Sequence, residues 1–305
     1  MFEVLLLVFF LLLVFATFVA FWFVHSPRQS ARLPYFLKLT DRLLTLLAAL
    51  QQYRGMSVAQ LSGSHLFGRE LLAVEQKITG QFVLLIQDLD EESVQLFPCL
   101  QINEVKLLRH HWQSALQQHE TATPSDVFQK QSQYIEQVMQ WLLRLGKRRL
   151  SPILLPLYRH APMGARGGKL ILQNYVAHLP ALAESLGQLR GLGTRLCALG
   201  QVSDAEENRL VFLLSCAQDF LQRARARYAV ETTSGHAAPW LAVTQAEEKI
   251  DTFLTIVHEN LLVKRVAGLS PKDFFTTGSA AVDSVYDWLK LERLYLLEAG
   301  LSHHN

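Results

Sequence analysis

LLTLLAALQQYRGMS, residues Leu43 to Ser57, spaces Leu43, Leu46 and Leu50 by three and four positions, which puts them on one face of a helix. The next position on that face is Arg54. A helix that turns its leucines inward therefore turns a guanidinium inward too. An unpaired charge there is very costly, so Arg54 requires an anionic partner or a route to water.

The pattern recurs. With Arg54 laid over Arg190, LLTLLAALQQYRG matches LPALAESLGQLRG. Leu43 meets Leu179, Leu46 meets Leu182, Leu50 meets Leu186, Gln52 meets Gln188, and Gly55 meets Gly191. Each half thus carries a Q-x-R-G element at the same phase of its leucine stripe.

Outward from these elements the chain is helical in pattern, with no strand-like alternation. The spacing predicts helices over Tyr35–Leu61, His65–Asp90 and Ile102–Glu120. A fourth runs to Leu145, with Thr123 as N-cap and Pro124 at the first helical position. Residues 146–169 form a basic irregular connector rich in proline and glycine. Helices then span Leu170–Leu199, with Pro180 as a point where the helix kinks or restarts, and a stretch ending at Glu231 that opens with a Ser203–Glu206 capping box. The last two cover Trp240–Val266 and Pro271–Leu301, the latter after Ser270. The expected fold is all-α: an N-terminal transmembrane helix followed by two four-helix bundles, or one elongated double bundle. The bundles occupy 35–145 and 170–305.

Residues 1–25 form the expected anchor. Val4 to Val24 carries no charge and is long enough as a helix to cross a hydrocarbon core of about 30 Å. The start MFE and the bulky FWFV at its end do not resemble a cleavable signal peptide. The linker 26–34 and Lys38 hold positive charge, which places the large domain on the cytoplasmic side of a bacterial inner membrane; a periplasmic domain is the alternative.

Composition excludes several classes. The chain has 305 residues, is 50% hydrophobic and carries a net charge of only +2, so it is not built for direct nucleic-acid binding. Cys99, Cys197 and Cys216 lie far apart, without a CxxC pair, which argues against a disulfide framework or zinc site. His110, His111 and His119 lack a matching set of metal ligands. GARGGKL lacks both the first glycine and the Ser/Thr of a phosphate-binding loop. No catalytic motif stands out, so an enzyme is not expected, and no cofactor or metal is implied.

Two uses of the arginines remain. One is an internal ion pair, with Glu70, Glu75, Asp88, Asp204 or Glu206 as the carboxylate. The other is an anion pocket, since a planar fork of donors suits a small planar oxyanion. In that case Arg54 and Arg190 converge on the anion, Ser57 and Thr194 add hydroxyl donors, and Gly55 and Gly191 clear space beside each guanidinium. Thr276 and Thr277 are further hydroxyls near a helix start.

The Q-x-R-G elements, the second within LGQLRGLGTRL, and the late DFFTTGSAAVDSVYDWL resemble the nitrate- and nitrite-sensing (NIT) domain family over roughly Tyr35 to Leu301. The resemblance implies a pair of four-helix bundles holding nitrate or nitrite with arginines that project between helices. Arg54 and Arg190 match the family's arginine elements; Arg195, Arg225, Arg227 and Lys249 are weaker candidates for further ones. No kinase, methyl-accepting, HAMP-like or RNA-binding module follows, so the signal is expected to pass to a partner in trans. The anchored layout implies a homodimer. The competing expectation is a helical scaffold without a small ligand.

Overall fold

Capping residues fix where several helices start. The computed structural model describes residues 15, 32–61, 68–90, 99–118, 121–147, 164–231, 240–263, 266 and 268–301. Their helices are α1 (Arg32–Leu61), α2 (Gly68–Asp90), α3 (Ile102–Gln117), α4 (Pro124–Lys147), α5 (Gly164–Gln173), α6 (Leu179–Leu199), α7 (Asp204–Glu231), α8 (Trp240–Ile256) and α9 (Pro271–Leu301). Among the described residues there is no strand, so the all-α class stands.

Thr123 caps α4: its Oγ1 accepts from Asp126 N at 3.2 Å and donates to Asp126 Oδ2 at 2.7 Å. Ser203 and Glu206 exchange backbone bonds at 2.9 and 3.4 Å, completing the box that opens α7. Ser270 Oγ accepts from Asp273 N at 3.3 Å ahead of α9. Each such cap contributes about 1 kcal/mol. At the far end of α6, Gly200 adopts φ 67° and its N–H bonds Leu196 O at 2.9 Å; this left-handed turn suits glycine and stops the helix.

Two features differ from the sequence pattern. The helix before α6 begins at Gly164, inside the stretch expected to be irregular. Gly167 and Gly168 are buried, so packing outweighs a helix cost of about 1 kcal/mol per glycine. The chain also passes Pro180 without a break. Widened i→i+5 turns at Asn174–His178 join α5 to α6, and in a regular helix the proline ring would press on the carbonyl of Val176 within that segment. A second widened segment, Val257–Val263, extends α8.

Helix α1 packs along α2 and α4, and α6 packs along α7 and α9, with α8 against α9. The cross-links give the directions. Tyr35 at the start of α1 donates to Asp88 O at the end of α2, and Arg190 late in α6 bonds Ser279 early in α9. Those neighbours are therefore antiparallel. Between the two groups, α1 and the α5–α6 run lie side by side and parallel: Asp41 meets Tyr175 and Arg54 meets Glu184. Leu43, Leu46, Leu50, Leu179, Leu182 and Leu186 are all fully buried. The leucine stripes thus form the centre of the core, flanked by Trp112, Trp141 and Trp288.

Apart from Phe15 the expected anchor lies outside the described residues, as do linker residues 26–31, the connector from 148 to 163, and His119; the last three linker residues, Arg32, Leu33 and Pro34, instead open α1. Among the described residues no helix is long and apolar enough to cross a membrane.

Candidate anion site

The parallel run of α1 and α6 brings the two arginines together at the middle of the molecule. Arg54 is 2% exposed and Arg190 7%. Each lies over a glycine of the other helix. A Cβ on Gly55 would sit 3.4 Å from Arg190 Nη2, and one on Gly187 would sit 3.6 Å from Arg54 Nη2. The glycine beside Arg54 therefore makes room as expected, but on behalf of the other arginine. A Cβ on Gly191 would meet nothing within 4 Å, so the space beside Arg190 is cleared by Gly55 and Gly278 instead.

The two guanidiniums have different surroundings. Arg54 is held by Glu184 in a two-armed pair, Nη1 to Oε1 at 2.6 Å and Nη2 to Oε2 at 3.1 Å. Its Nη1 also donates to Ser132 Oγ at 3.0 Å, and its guanidinium carbon stands 5.1 Å from the centre of the Phe128 ring. Glu184 further accepts from Gln51 Nε2 at 3.0 Å and Gln188 Nε2 at 2.7 Å. A planar oxyanion does sit on Arg54, and it is a side chain of the protein.

Arg190 has no such partner among the described residues. Its Nη1 donates to Ser279 Oγ at 3.0 Å, its guanidinium carbon stands 4.9 Å from the Phe275 ring centre, and its Nε is buried without an acceptor. Burial and then repulsion from Arg54 push its pKa down to about 10, against pull from Asp283 and Glu184. It remains a cation at neutral pH, at a cost that a bound anion would relieve.

Arg190 also opens onto a cleft of about 630 Å³ between α1 and α9, whereas Arg54 does not line it. Gln51, Gln52, Phe275, Ser279 and Tyr286 line it too, with Ser279 and Phe275 against Arg190 itself. The Tyr286 hydroxyl donates to Gln51 Oε1 at 2.8 Å, so a hydrogen-bonded path runs from the cleft wall through Gln51 to Glu184 and Arg54. The cleft joins an N-terminal to a C-terminal helix, and its wall touches both arginine-bearing segments.

The remaining expected site residues are placed as follows. Ser57 Oγ donates to Arg54 O at 3.3 Å and Thr194 Oγ1 to Arg190 O at 2.7 Å, so both hydroxyl protons go to their own helix backbone. Thr276 and Thr277 do the same with Lys272 O and Asp273 O. Arg195 pairs with Glu206, and Arg225 with Glu247 and Asp251, on the outer surface. Lys249 is exposed, and the Arg227 side chain lies outside the described residues. None of the five carboxylates expected to pair the central arginines does so: Asp88 binds Lys38 and Arg42, and Glu206 binds Arg195.

Glu184, Gln51, Ser279, Phe275 and Tyr286 were not expected at the site. One signal for Glu184 exists: it stands opposite Ala48 in the internal repeat, an acid in one copy where the other has a methyl group. His110 and His111 are exposed, and no group of potential metal ligands occurs among the described residues. No protein-family model, curated protein or solved structure matches the chain.

Proposed function

We propose that the protein is a membrane-anchored helical sensor that binds nitrate or nitrite at Arg190 and signals to a partner protein through a change in helix packing. The observation that carries this reading is the Arg190 guanidinium: buried, without a carboxylate partner among the described residues, with a bare Nε, and opening on a cleft. A planar monoanion accepts from such a fork along two parallel bonds. Arg54, already neutralised by Glu184, stands behind as part of the wall rather than as a direct contact. The leucine-stripe repeat and its resemblance to the NIT family support the choice of anion, and the apolar N-terminal segment supports the anchor.

An anion that draws Arg190 toward α1 alters a contact shared by α1, α6 and α9. Binding thereby favours one helix packing over another, which is the physical content of a signal. The two bundles expected from the sequence would then be the bodies that shift.

The test is a thermal-shift and calorimetric titration of the full chain in detergent with nitrate, nitrite, chloride, sulfate and phosphate. Nitrate or nitrite is expected to raise the melting temperature. A ligand at 100 times its dissociation constant adds about 2.7 kcal/mol. Arg190→Ala should abolish the rise. The reading falls if nitrate and nitrite leave the wild-type melting curve unmoved.

The Arg54–Glu184 pair favours a second reading, a helical scaffold in which the arginines serve internal packing alone. Under it no anion in the panel shifts the melting curve.

A further inference from the structure

The charges around the cleft can be counted one by one. Seven ionisable acidic or basic side chains line it. Two pairs cancel: Arg293 Nε lies 2.6 Å from Asp41 Oδ2, and Lys290 Nζ lies 2.8 Å from Asp287 Oδ1. Arg190, Lys77 and Asp283 remain, and none of the three has an ion-pair partner among the described residues. Two positive charges against one negative leave the cleft with a single net positive charge.

We propose that Asp283 is a charge filter that restricts the Arg190 cleft to monovalent oxyanions. The inference rests on the reading of Arg190 as an oxyanion site and adds which anions that site refuses. Asp283 follows Ser279 by one helical turn, on the same face of α9. Ser279 is the residue that holds Arg190 Nη1. The carboxylate therefore stands on the cleft wall one turn from the residue that holds the guanidinium, and its field reaches Arg190, whose hold on its proton it strengthens.

A monoanion at Arg190 brings the cleft to neutrality. A dianion of similar size overcompensates, is repelled more strongly by Asp283, and must shed more hydration to enter. Like-charge repulsion discriminates by about tenfold or more even in a partly solvated site. Sulfate and hydrogen phosphate are thus excluded by charge although their oxygens would fit the same fork. Asp283 is a specificity-determining residue here, acting on the ligand without bonding to it.

The experiment is isothermal titration of the full chain in detergent with nitrate and sulfate at matched ionic strength, for wild type, Asp283→Asn and Lys77→Met. Wild type should bind nitrate and not sulfate. Asp283→Asn should gain sulfate affinity by at least about tenfold while nitrate affinity changes by less than about threefold. Lys77→Met should weaken nitrate. Near-ultraviolet circular dichroism checks that each variant keeps its packing; both residues are exposed. The filter is overturned if Asp283→Asn binds nitrate yet still refuses sulfate, or if wild type takes sulfate as tightly as nitrate. If neither anion binds any of the three proteins, the Arg190 reading falls and the filter falls with it.

Discussion

Arg54 on α1 and Glu184 on α6 form a buried two-armed ion pair that joins the two repeat-related helices, with Gln51 and Gln188 closing the remaining lone pairs of the carboxylate. Such a pair contributes little net stability compared with apolar side chains of the same volume, but losing one member leaves the other stranded. Glu184→Gln should therefore destabilise the protein by about 3 kcal/mol, read as a lower urea midpoint. The double variant Arg54→Met with Glu184→Leu should lie much closer to wild type. A double variant as unstable as the single one would mean that the pair does more than neutralise itself.

Arg190 presents the opposite case. Its buried charge lacks a counter-ion among the described residues, so it weakens the ligand-free fold. Arg190→Met should stabilise the ligand-free protein by about 1–2 kcal/mol, read as a higher urea midpoint, and remove every anion response at once. A gain in stability bought with a loss of binding is the mark of a residue kept for its ligand.

Neighbouring glycines separate packing from function. At Gly193 a Cβ would lie 2.3 Å from two atoms of the Phe274 ring and 2.9 Å from Leu261 Cδ1. Gly193→Ala should cost about 1–3 kcal/mol through overpacking. At Gly191, where nothing lies within 4 Å, alanine should stabilise the helix by about 0.5–1 kcal/mol. Thermal melts of the two variants should move in opposite directions, and Gly191→Ala should leave anion binding intact.

His178, at the end of the widened turn, has its pKa lowered from the ordinary 6.5, first by burial and then by Arg223. Its contribution to stability is whole above 6.5, where both folded and unfolded forms are neutral. As pH falls below 6.5 the unfolded chain takes up the proton first, so stability declines through that window. His178→Gln should flatten the fall in melting temperature between pH 7.5 and 5.5. Asp126 and Glu206, held below the usual carboxylate range mainly by Thr123 and Ser203, act only at lower pH.

Helix type, the caps at Thr123, Ser203 and Ser270, and the inward aim of both arginines were legible because each rests on local spacing. The leucine stripe fixed the phase of Arg54 and Arg190, and both are buried as that phase requires. Glu184 was not legible by the same rule, because it falls off the stripe. Helix α6 is buried on nearly every side, Leu179 through Leu189 with only Gln188 partly exposed, so a stripe understates how much of it turns inward. Ser279, Tyr286 and Gln51 depend on which helices become neighbours, and periodicity within one helix carries no such information. The start of α5 was missed because glycine weighs against helix locally while burial of Gly167 and Gly168 is a tertiary gain.

The wide turn at Asn174–His178 has a consequence for how the chain tolerates length changes. An i→i+5 turn holds one residue more than an α turn, and each residue of a helix advances the azimuth by about 100°. Deleting a single residue there would return the turn to regular pitch with little net rotation of the flanking helices, whereas the same deletion in the regular helix after it would rotate the two sides by about 100°. After a deletion between Leu179 and Leu189, Tyr175 would leave Asp41 while Arg190 kept its place, or the reverse. The regular helix from Leu179 to Arg190 is thus an interval whose length the fold counts, while the wide turn before it is where the chain can shed a residue without losing register.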